Sequence, residues 1–197
     1  MGQGAIFLDR DGTLNELALN PATGDFESPH SAAETRLAPG LDAAMRLLAS
    51  TGLPLFVVSN QPSVAKGKCS FDDLKAVHQV VEGAIEASGA HVTQWYYCYH
   101  HPQGSVPELT QACECRKPGT LFLRQAAEKF GLDLGRSIFI GDQDFDIRCA
   151  KAAGCTSIVI ENPHSAAKRV KEKADYRVKD LLEAARKTFE LTHPKEQ

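Results

Sequence analysis

The chain has 197 residues, of which 43% are hydrophobic and 24% are charged, and its formal net charge is −3. This length and composition predict one globular domain over residues 1–197 with a substantial core. The charge balance gives no general reason to bind nucleic acid or an acidic membrane. The sequence has no apolar run of about 18 residues and no basic segment before a long apolar stretch. We therefore expect no membrane span, no signal peptide and a cytoplasmic location.

The first predicted element is a short buried strand over residues 5–8, and it stops at an acidic turn. Asp9 and Asp11 follow this strand, and Gly12 lets the chain turn sharply. Ligands of open α/β sheets bind beyond the carboxyl ends of the strands, so both carboxylates are expected where chemistry takes place. Two carboxylates this close indicate a hard cation such as Mg²⁺. The alternative is a strand followed by an ordinary Asp-Gly turn.

Strands and helices alternate along the rest of the chain. Apolar runs predict further strands at residues 53–58, 92–98, 137–140, 156–160 and 176–178. Helical spacing predicts helices at residues 41–48, between Ser70 and Gly89, from Pro118 or Gly119 to Phe130, and at residues 144–153, 166–173 and 180–191. Residues 16–39 show little periodicity and are expected to form a long, functional loop. The pattern predicts an α/β fold: a Rossmann-like parallel sheet with helices on both faces and no large cap domain.

Polar residues follow several of these strands, and one edge of the sheet would collect them: Asp9, Asp11, Ser59, Asn60, Lys117 and Asp142. This set matches the needs of phosphoryl transfer, which are in-line positioning, a divalent cation and positive charge on the phosphate oxygens. Asp9 would be the nucleophile, and Asp11 the general acid and base. Ser59 and Lys117 would hold the phosphoryl oxygens, and Asp142 would complete the Mg²⁺ site. Taken singly, these residues also fit a strand-ending turn, a solvated lysine and a helix cap.

The motifs D-R-D-G-T-L-N, S-N-Q, R-K-P and G-D-x-x-x-D, in this order, resemble the four signature motifs of the haloacid-dehalogenase superfamily of aspartate-nucleophile phosphatases. The resemblance implies an aspartyl-phosphate intermediate at Asp9 and protonation of the leaving oxygen by Asp11. It also implies Mg²⁺ held by the Asp9 carboxylate, the Asp11 backbone carbonyl and Asp142, with Asp146 supporting the site from nearby. A P-loop NTPase is excluded because the chain has no G-x-x-x-x-G-K-[ST] motif.

A second irregular stretch carries a candidate zinc site made of Cys98, His100, Cys113 and Cys115. Three thiolates and one imidazole suit a closed tetrahedral Zn²⁺ site, and a structural role is favoured because protein groups fill all four positions. His101 is a rival ligand to His100. Disulfides or a chance grouping of polar residues are the alternatives. Zinc binding would help to order a loop that has few apolar side chains.

The text of this loop, C-Y-H-H-P-Q-G-S with C-E-C-R-K-P, is similar to that of the bacterial heptose 1,7-bisphosphate phosphatases. Histidinol-phosphate phosphatases, whose zinc loop is typically shorter, are the alternative. The resemblance implies a sugar bisphosphate substrate, with Arg116 and Lys117 contacting substrate and phosphate. Asn60 and Gln61 would lie in the substrate site, with Gln61 near the sugar. The chain departs from the family pattern at Ser59, where threonine is common, and in residues 16–39, which lack a Gly-Tyr-Val segment.

Other expectations are less specific. A further hypothesis is a zinc-stabilised interaction module on an inactive phosphatase fold. Such a module would lack one or more of the catalytic candidates, but all of them are present: Asp9, Asp11, Lys117 and Asp142. The chain is expected to be a monomer with no nucleic-acid or membrane partner. Four histidines are expected on the surface or on helix faces: His78, His91, His164 and His193. Three cysteines without partner spacing are expected to be buried or half-buried thiols: Cys69, Cys149 and Cys155.

Overall fold

The computed structural model describes residues 2–169 and 171–194 and contains a six-stranded parallel sheet. Its strands are β1 (Ile6–Leu8), β4 (Leu55–Asn60), β5 (Val92–Cys98), β6 (Ile138–Gly141), β7 (Thr156–Ile160) and β8 (Tyr176–Val178). Their order across the sheet is β5-β4-β1-β6-β7-β8. The central strand β1 pairs with two neighbours, so that Phe7 lies between Phe56 and Phe139. This confirms the predicted parallel α/β architecture.

Helices cover both faces of the sheet, as predicted. They are α1 (Leu41–Ala49), α2 (Phe71–Ala87), α3 (Leu121–Phe130), α4 (Asp144–Ala153) and α5 (Leu181–Thr192). Alternate residues of each strand enter opposite cores. Ile6 and Leu8 pack with residues of α1, α2 and α5, and Phe7 packs with residues of α3 and α4. Among the described residues, no helix is long and apolar enough to cross a membrane.

The predicted loop at residues 16–39 contains a small antiparallel hairpin. Its strands are β2 (Ala18–Leu19) and β3 (Phe26–Glu27), each of two residues. Ala38 donates its backbone N–H to Leu14 O at 2.9 Å, which returns the chain to the body of the protein before α1. The absence of a large cap domain is confirmed over the described residues. The hairpin is the only insertion of regular structure between β1 and α1 there.

One predicted helix is wrong. Residues 166–169 and 171–173 are not α-helical; a 3-10 helix spans Pro163–Lys168, and residue 170 lies outside the described part. Asn162 begins this element by accepting a hydrogen bond from the His164 N–H at 2.9 Å. Arg169 then donates to Asn162 O at 2.7 Å, which holds the end of the element close to its beginning. These polar contacts favour a compact turn over a continuing α-helix.

Element ends differ from prediction where tertiary contacts extend or shorten them. β4 continues through Asn60 because Ser59 and Asn60 pair with Tyr97 and Cys98 of β5. The helix α3 begins at Leu121 rather than at Pro118 or Gly119, since a turn closed by Gly119 N–H and Arg116 O occupies that position. The predicted capping box at Ser70 is present at the start of α2.

Candidate active site

The structure brings the predicted catalytic positions to one edge of the sheet. Asp9 directly follows β1, Ser59 lies near the end of β4, and Asp142 directly follows β6, so three adjacent strands supply them. Lys117 reaches the same place from the loop before α3. All four side chains are buried. The strand order reverses at β1, and this is where open α/β sheets form a ligand crevice.

Three donors converge on one oxygen of Asp9. Its Oδ1 accepts hydrogen bonds from the Ser59 hydroxyl and the Arg10 N–H, both at 2.7 Å, and lies 2.8 Å from Lys117 Nζ. Lys117 Nζ is also 2.6 Å from Asp146 Oδ1, so one buried cation joins two carboxylates. Burial lowers the pKa of Lys117, but the charges of Asp146 and Asp9 outweigh burial and hold this pKa above its ordinary value. The lysine therefore stays cationic.

The carboxylates of Asp9, Asp142 and Asp146 form a cluster whose candidate ligand oxygens lie within 4.8 Å of one another. Both carboxylate oxygens of Asp142 are buried without a hydrogen-bond partner in residues 2–169 and 171–194. Burial, followed by the charges of Asp146 and Asp9, raises the pKa of Asp142 well above its ordinary value. Burial also raises the pKa of Asp146 to about 6, although Lys117 opposes this. Buried, unpaired carboxylate oxygens fit a hard divalent cation such as Mg²⁺.

Gly12 lets the loop after β1 pass close to Asp142. Its φ angle is +84°, and a Cβ atom built on it would lie 2.2 Å from Asp142 Oδ2. Both the backbone conformation and the contact exclude a larger residue. The Asp-Gly turn seen in the sequence therefore also makes room for a candidate metal ligand.

The carboxylate of Asp11 is held by Arg10 and Gln61. Arg10 donates from Nε and Nη2 to the two carboxylate oxygens at 2.9 and 3.1 Å, and Gln61 Nε2 donates at 2.8 Å. Burial raises the pKa of Asp11, but the charge of Arg10 and three side-chain hydrogen bonds outweigh burial and hold it below its ordinary value. Gln61 is fully buried, also donates to Ser59 Oγ at 3.0 Å, and does not line the cavity described below. Gln61 thus connects two catalytic candidates, Asp11 and Ser59, and its predicted place near the sugar stays a prediction.

Asn60 holds the backbone of Lys117. Its Oδ1 accepts the Lys117 N–H at 2.9 Å, and its Nδ2 donates to Lys117 O at 3.1 Å. The Asn60 side chain thus pairs with both the N–H and the C=O of Lys117, as the backbone of a neighbouring β-strand does in a sheet. The side chain that ends β4 therefore fixes the residue whose ammonium contacts Asp9.

A cavity of about 600 Å³ opens above Asp9 and Asp11. Its mouth is lined by two acidic side chains, Asp25 and Glu27, and by four cationic ones: Lys66, Lys68, Arg116 and Lys168. Lys68 forms an ion pair with Glu27, whereas the other three have no ion pair among the described residues. Burial, followed by the charges of the neighbouring cations, lowers the pKa of Lys66. The mouth of the cavity is therefore suited to an anionic group.

The rim contains residues that sequence reasoning missed. Phe26 of β3 stacks on His164, with ring centroids 3.7 Å apart, and both rings line the cavity. His164 was expected to be a surface histidine; it is exposed, but it faces the candidate substrate space. No motif marks Phe26, Lys66 or Lys168, because the folding of three separate connections brings them together.

A second histidine differs from expectation. His78 lies on a face of α2, as expected, but it is only 7% exposed and contacts the guanidinium of Arg10. Its ring is stacked on Tyr97 with centroids 3.9 Å apart and planes 2° from parallel. Its position in the helical pattern gives no sign of this contact, which depends on the path of the buried Arg10 side chain.

The predicted Cys/His set forms a second cluster, at the end of β5. The Sγ atoms of Cys98, Cys113 and Cys115 are 3.2 to 3.5 Å apart, and all three thiols are free. His100 Nδ1 lies 3.5 Å from Cys115 Sγ, whereas His101 Nδ1 accepts the N–H of Gln103 instead. These separations exceed a disulfide bond and are near the roughly 3.8 Å expected between ligands of a tetrahedral zinc ion. Cys69 is half-buried and Cys149 and Cys155 are buried, as predicted.

The zinc-site candidate is directly connected to the cavity. Arg116 follows the last cysteine of the cluster, lines the cavity, and donates from Nη1 to His100 O at 3.3 Å. The Gln61 N–H donates to Cys98 O at 2.7 Å, which joins the end of β5 to the segment after β4. The order of the loop therefore affects the position of two residues near the site.

An aspartate after β1, a hydroxyl near the end of β4, a buried lysine and a cluster of acidic residues after β6 define a haloacid-dehalogenase-like hydrolase. The HAD-hydrolase-like family model matches residues 114–184. The D-glycero-beta-D-manno-heptose-1,7-bisphosphate 7-phosphatase of Rhodopseudomonas palustris is 36% identical over 152 residues, which cover 76% of this chain and 79% of the relative. The enzyme of the same name from Escherichia coli K12 is 32% identical over 180 residues, covering 91% of this chain and 90% of the relative. The chain belongs to the haloacid-dehalogenase-like phosphatase family of these relatives.

Solved structures show the same fold. The crystal structure of D,D-heptose 1,7-bisphosphate phosphatase from B. bronchiseptica, complexed with magnesium and phosphate, has a TM-score of 0.77 and 24% identity, and covers 94% of this chain and 97% of that one. A HAD-like phosphatase structure from Mesorhizobium loti has a TM-score of 0.78 and 24% identity, and covers 100% of this chain and 90% of that one.

Proposed function

We propose that this chain is a Mg²⁺-dependent phosphatase that removes the 7-phosphate of D-glycero-D-manno-heptose 1,7-bisphosphate through an aspartyl-phosphate intermediate. The observation that carries the proposal is the environment of Asp9. Its carboxylate lies within hydrogen-bond distance of the Ser59 hydroxyl and the Lys117 ammonium, below a cavity with a cationic mouth. The names of the curated relatives support the heptose substrate over histidinol phosphate.

In the proposed reaction Asp9 attacks the phosphorus atom of a phosphoryl group at the bottom of the cavity. The Ser59 hydroxyl and the Lys117 ammonium, which now contact Asp9, are placed to bind the oxygens of that group. Asp11 gives a proton to the leaving sugar oxygen and then takes a proton from the water that releases the phosphate. Asn60 and Gln61 act indirectly, by holding Lys117 and by joining Asp11 to Ser59.

Asp9 and Asp142 would hold Mg²⁺, together with the backbone carbonyl of Asp11. Asp146 lies in the same carboxylate cluster but is also paired with Lys117, so we assign it a supporting role. A bound Mg²⁺ would neutralise charge on the phosphoryl oxygens. The buried oxygens of Asp142, which lack hydrogen-bond partners in the described part of the chain, support its assignment as a ligand.

The second phosphate of the substrate would stay at the mouth of the cavity. Arg116 can meet two of its oxygens in bidentate geometry, and Lys66 and Lys168 add positive charge. A primary phosphate on an exocyclic carbon is slim enough to reach Asp9, whereas a phosphate attached to the ring is hindered by the ring. The charge distribution therefore supports removal of the 7-phosphate and retention of the anomeric one.

Cys98, His100, Cys113 and Cys115 would hold a structural Zn²⁺ that keeps Arg116 and Lys117 in place. The close approach of three free thiols and one imidazole nitrogen supports this assignment. We further propose that the enzyme acts as a cytoplasmic monomer on a diffusible sugar phosphate.

Product analysis tests the proposed function. Heptose 1,7-bisphosphate is incubated with the protein and Mg²⁺, and phosphorus NMR follows the two phosphate signals. Loss of the 7-phosphate signal with retention of the anomeric one is expected. Release of the anomeric phosphate first, or a strong preference for histidinol phosphate in the same assay, would contradict the substrate assignment while leaving the chemistry of Asp9 in place.

A further inference from the structure

We propose that Arg10 is a positioning residue for Asp11: its guanidinium fixes the carboxylate in the direction that both proton transfers need. The inference rests on the proposed function, which makes Asp11 the general acid and base. The roles assigned to Asp9 and Asp11 leave Arg10, which lies between them in the sequence, without a task.

Each of the three guanidinium nitrogens of Arg10 contacts a buried side chain. Arg10 is 0% exposed, and its Nε and Nη2 groups reach both oxygens of Asp11. Nη2 also donates to Gln61 Oε1 at 2.8 Å, and Nη1 contacts His78 Nδ1. The planar guanidinium of an arginine can bond to both oxygens of a carboxylate and so restrict its rotation. The ammonium group of a lysine does not restrict the carboxylate in this way.

The groups behind Arg10 make this arrangement rigid. Burial, followed by the charge of Arg10, lowers the pKa of His78 to about 3, so the imidazole is neutral and accepts the Arg10 hydrogen bond at Nδ1. The stack of His78 on Tyr97 fixes the ring, and the Arg10 guanidinium carbon lies 6.0 Å from the centroid of the Tyr97 ring. Side chains from α2, from β5 and from the residue that follows β4 thus surround one cation.

Packing alone gives little reason for a buried guanidinium at this position. Apolar residues of similar volume commonly replace buried ion pairs without loss of stability. Here the guanidinium instead contacts the one carboxylate that must transfer a proton. Its charge lowers the pKa of Asp11 and so favours the carboxylate form that takes a proton from water, while its fork geometry fixes the direction of Asp11 in both steps. The arrangement is therefore better explained by the orientation of Asp11 than by stability.

The proposed reaction needs the Asp11 carboxylate in this orientation in two steps. In the first step an oxygen of Asp9 forms a bond to phosphorus, the bond between phosphorus and the sugar oxygen breaks, and that oxygen takes the bond's electron pair and the proton of Asp11. In the second step the oxygen of a water molecule bonds to phosphorus and gives its proton to Asp11, and the phosphoryl bond to Asp9 breaks. A carboxylate that rotates freely would meet neither oxygen reliably.

The test uses the dependence on the leaving group. p-Nitrophenolate leaves without a proton, whereas a sugar alkoxide needs one, so only the sugar substrate requires Asp11 in the first step. Values of kcat/KM, which report the steps through phosphorylation of Asp9, are measured for heptose bisphosphate and p-nitrophenyl phosphate. The proteins are the wild type, Arg10→Lys, Asp11→Asn, His78→Phe and the matched control Arg46→Lys, which alters an exposed ion pair with Asp42.

Arg10→Lys and Asp11→Asn should lower kcat/KM for the sugar substrate by about 10²-fold, and that for p-nitrophenyl phosphate by less than about threefold. Both should release a burst of p-nitrophenolate, because hydrolysis of the aspartyl phosphate still needs Asp11. His78→Phe keeps a ring for Tyr97 but removes the acceptor for Arg10, and it should show a weaker selective loss. Arg46→Lys should match the wild type on both substrates.

The outcomes separate the proposed role of Asp11 as general acid and base from the proposed positioning role of Arg10. If Asp11→Asn loses both activities equally, the role of Asp11 in the proposed function is wrong, and the inference fails with it. If Asp11→Asn is selective but Arg10→Lys is not, only the inference about Arg10 is overturned. If Arg10→Lys does not fold, as judged by thermal unfolding, His78→Phe decides: selective loss supports the inference, and equal loss on both substrates overturns it.

Discussion

Among single residues, Asp9, the proposed nucleophile, is held by donors from three separate segments. Its donors are a hydroxyl from β4, a backbone N–H from its own loop and a lysine from the loop before α3, so three segments act on one oxygen. A carboxylate held in this way loses little orientational freedom when the substrate arrives.

Replacement of Asp9 by asparagine should abolish the covalent route. We expect kcat to fall by at least about 10³-fold, or about 4 kcal/mol of activation free energy, because an amide is a poor nucleophile. Folding should be little affected, and thermal unfolding provides that control. Near-normal Mg²⁺-dependent turnover by Asp9→Asn would refute the mechanism.

The raised pKa of Asp142 predicts a pH-dependent affinity for Mg²⁺. In the metal-free protein this carboxyl keeps its proton above the ordinary pKa, so Mg²⁺ must displace a proton. The affinity should therefore rise with pH, by up to about tenfold per unit while one proton is released. Without metal, stability due to this group is greatest at low pH and falls as pH rises above the unfolded-state pKa, because the native state then binds more protons.

Thermal unfolding with and without Mg²⁺ between about pH 5 and about pH 8 measures this effect. The increase in Tm caused by Mg²⁺ should grow with pH in the wild type and lose most of its pH dependence in Asp142→Asn. A Mg²⁺ effect that is independent of pH in the wild type would show that Asp142 is not a ligand.

At the level of elements, β4 and β5 couple the loop of the candidate zinc site to the edge that carries the candidate catalytic residues. Their ladder runs to the pair Asn60 and Cys98, so the strand that ends with the clamp for Lys117 is bonded to the strand that begins the Cys/His cluster. Arg116 and Lys117 follow directly on Cys115 at the other end of the loop. The cluster is therefore attached to the catalytic residues at both of its ends.

Loss of the Cys/His cluster should reduce activity although no candidate catalytic residue is replaced. The double variant Cys113→Ser with Cys115→Ser should lose a zinc content of about one ion per chain and have a kcat/KM lower by at least about tenfold, because Lys117 is displaced. Elemental analysis and kinetics measure the two effects. Cys69→Ser is a matched control outside the cluster and should keep both. A zinc-free double variant with full activity would contradict the coupling.

An element could be predicted from the sequence where the residues that determine it lie within or next to it. The strands at residues 92–98, 156–160 and 176–178 match prediction because apolar runs and flanking turns define them. The 166–173 helix is wrong because hydrogen bonds of Asn162 and Arg169 override helical spacing. The catalytic positions are readable as strand-end motifs, whereas the contacts of Arg10 with His78 and of Phe26 with His164 depend on residues far apart in sequence.

Over the whole molecule, the charge distribution matters more than the net charge. The chain carries −3 overall, yet the side chains at the cavity mouth that have no ion pair in the described part of the chain are three cations and one carboxylate, Asp25. A cleft that concentrates one sign of charge can attract a substrate that the average charge would repel. A sugar bisphosphate carries roughly −3 to −4 at neutral pH, so it should experience this field strongly.

Ionic strength should therefore distinguish the two classes of substrate. Between about 0.1 M and about 1 M salt, kcat/KM should fall more for heptose bisphosphate than for a heptose monophosphate, since the Debye length shortens from about 10 to about 3 Å. Arg116→Lys keeps the charge, so it should keep this salt dependence while raising KM for the bisphosphate more than for the monophosphate. Lys66→Gln should weaken the salt dependence. Equal salt effects on both substrates would argue against a second phosphate at the mouth.

The hairpin formed by β2 and β3 is attached to the rim at two points, the stack of Phe26 on His164 and the ion pair of Glu27 with Lys68. Neither contact involves a strand end that carries a catalytic candidate. Ser28, which follows β3, does contact a reacting group, because its side chain hydrogen-bonds to Asp11. The tip of the hairpin between the two strands, residues 20–25, can therefore be exchanged for one of another length or sequence while the reacting groups stay in place. This makes residues 20–25 the natural region for engineering substrate preference by loop grafting, with Phe26, Glu27 and Ser28 as the residues to preserve.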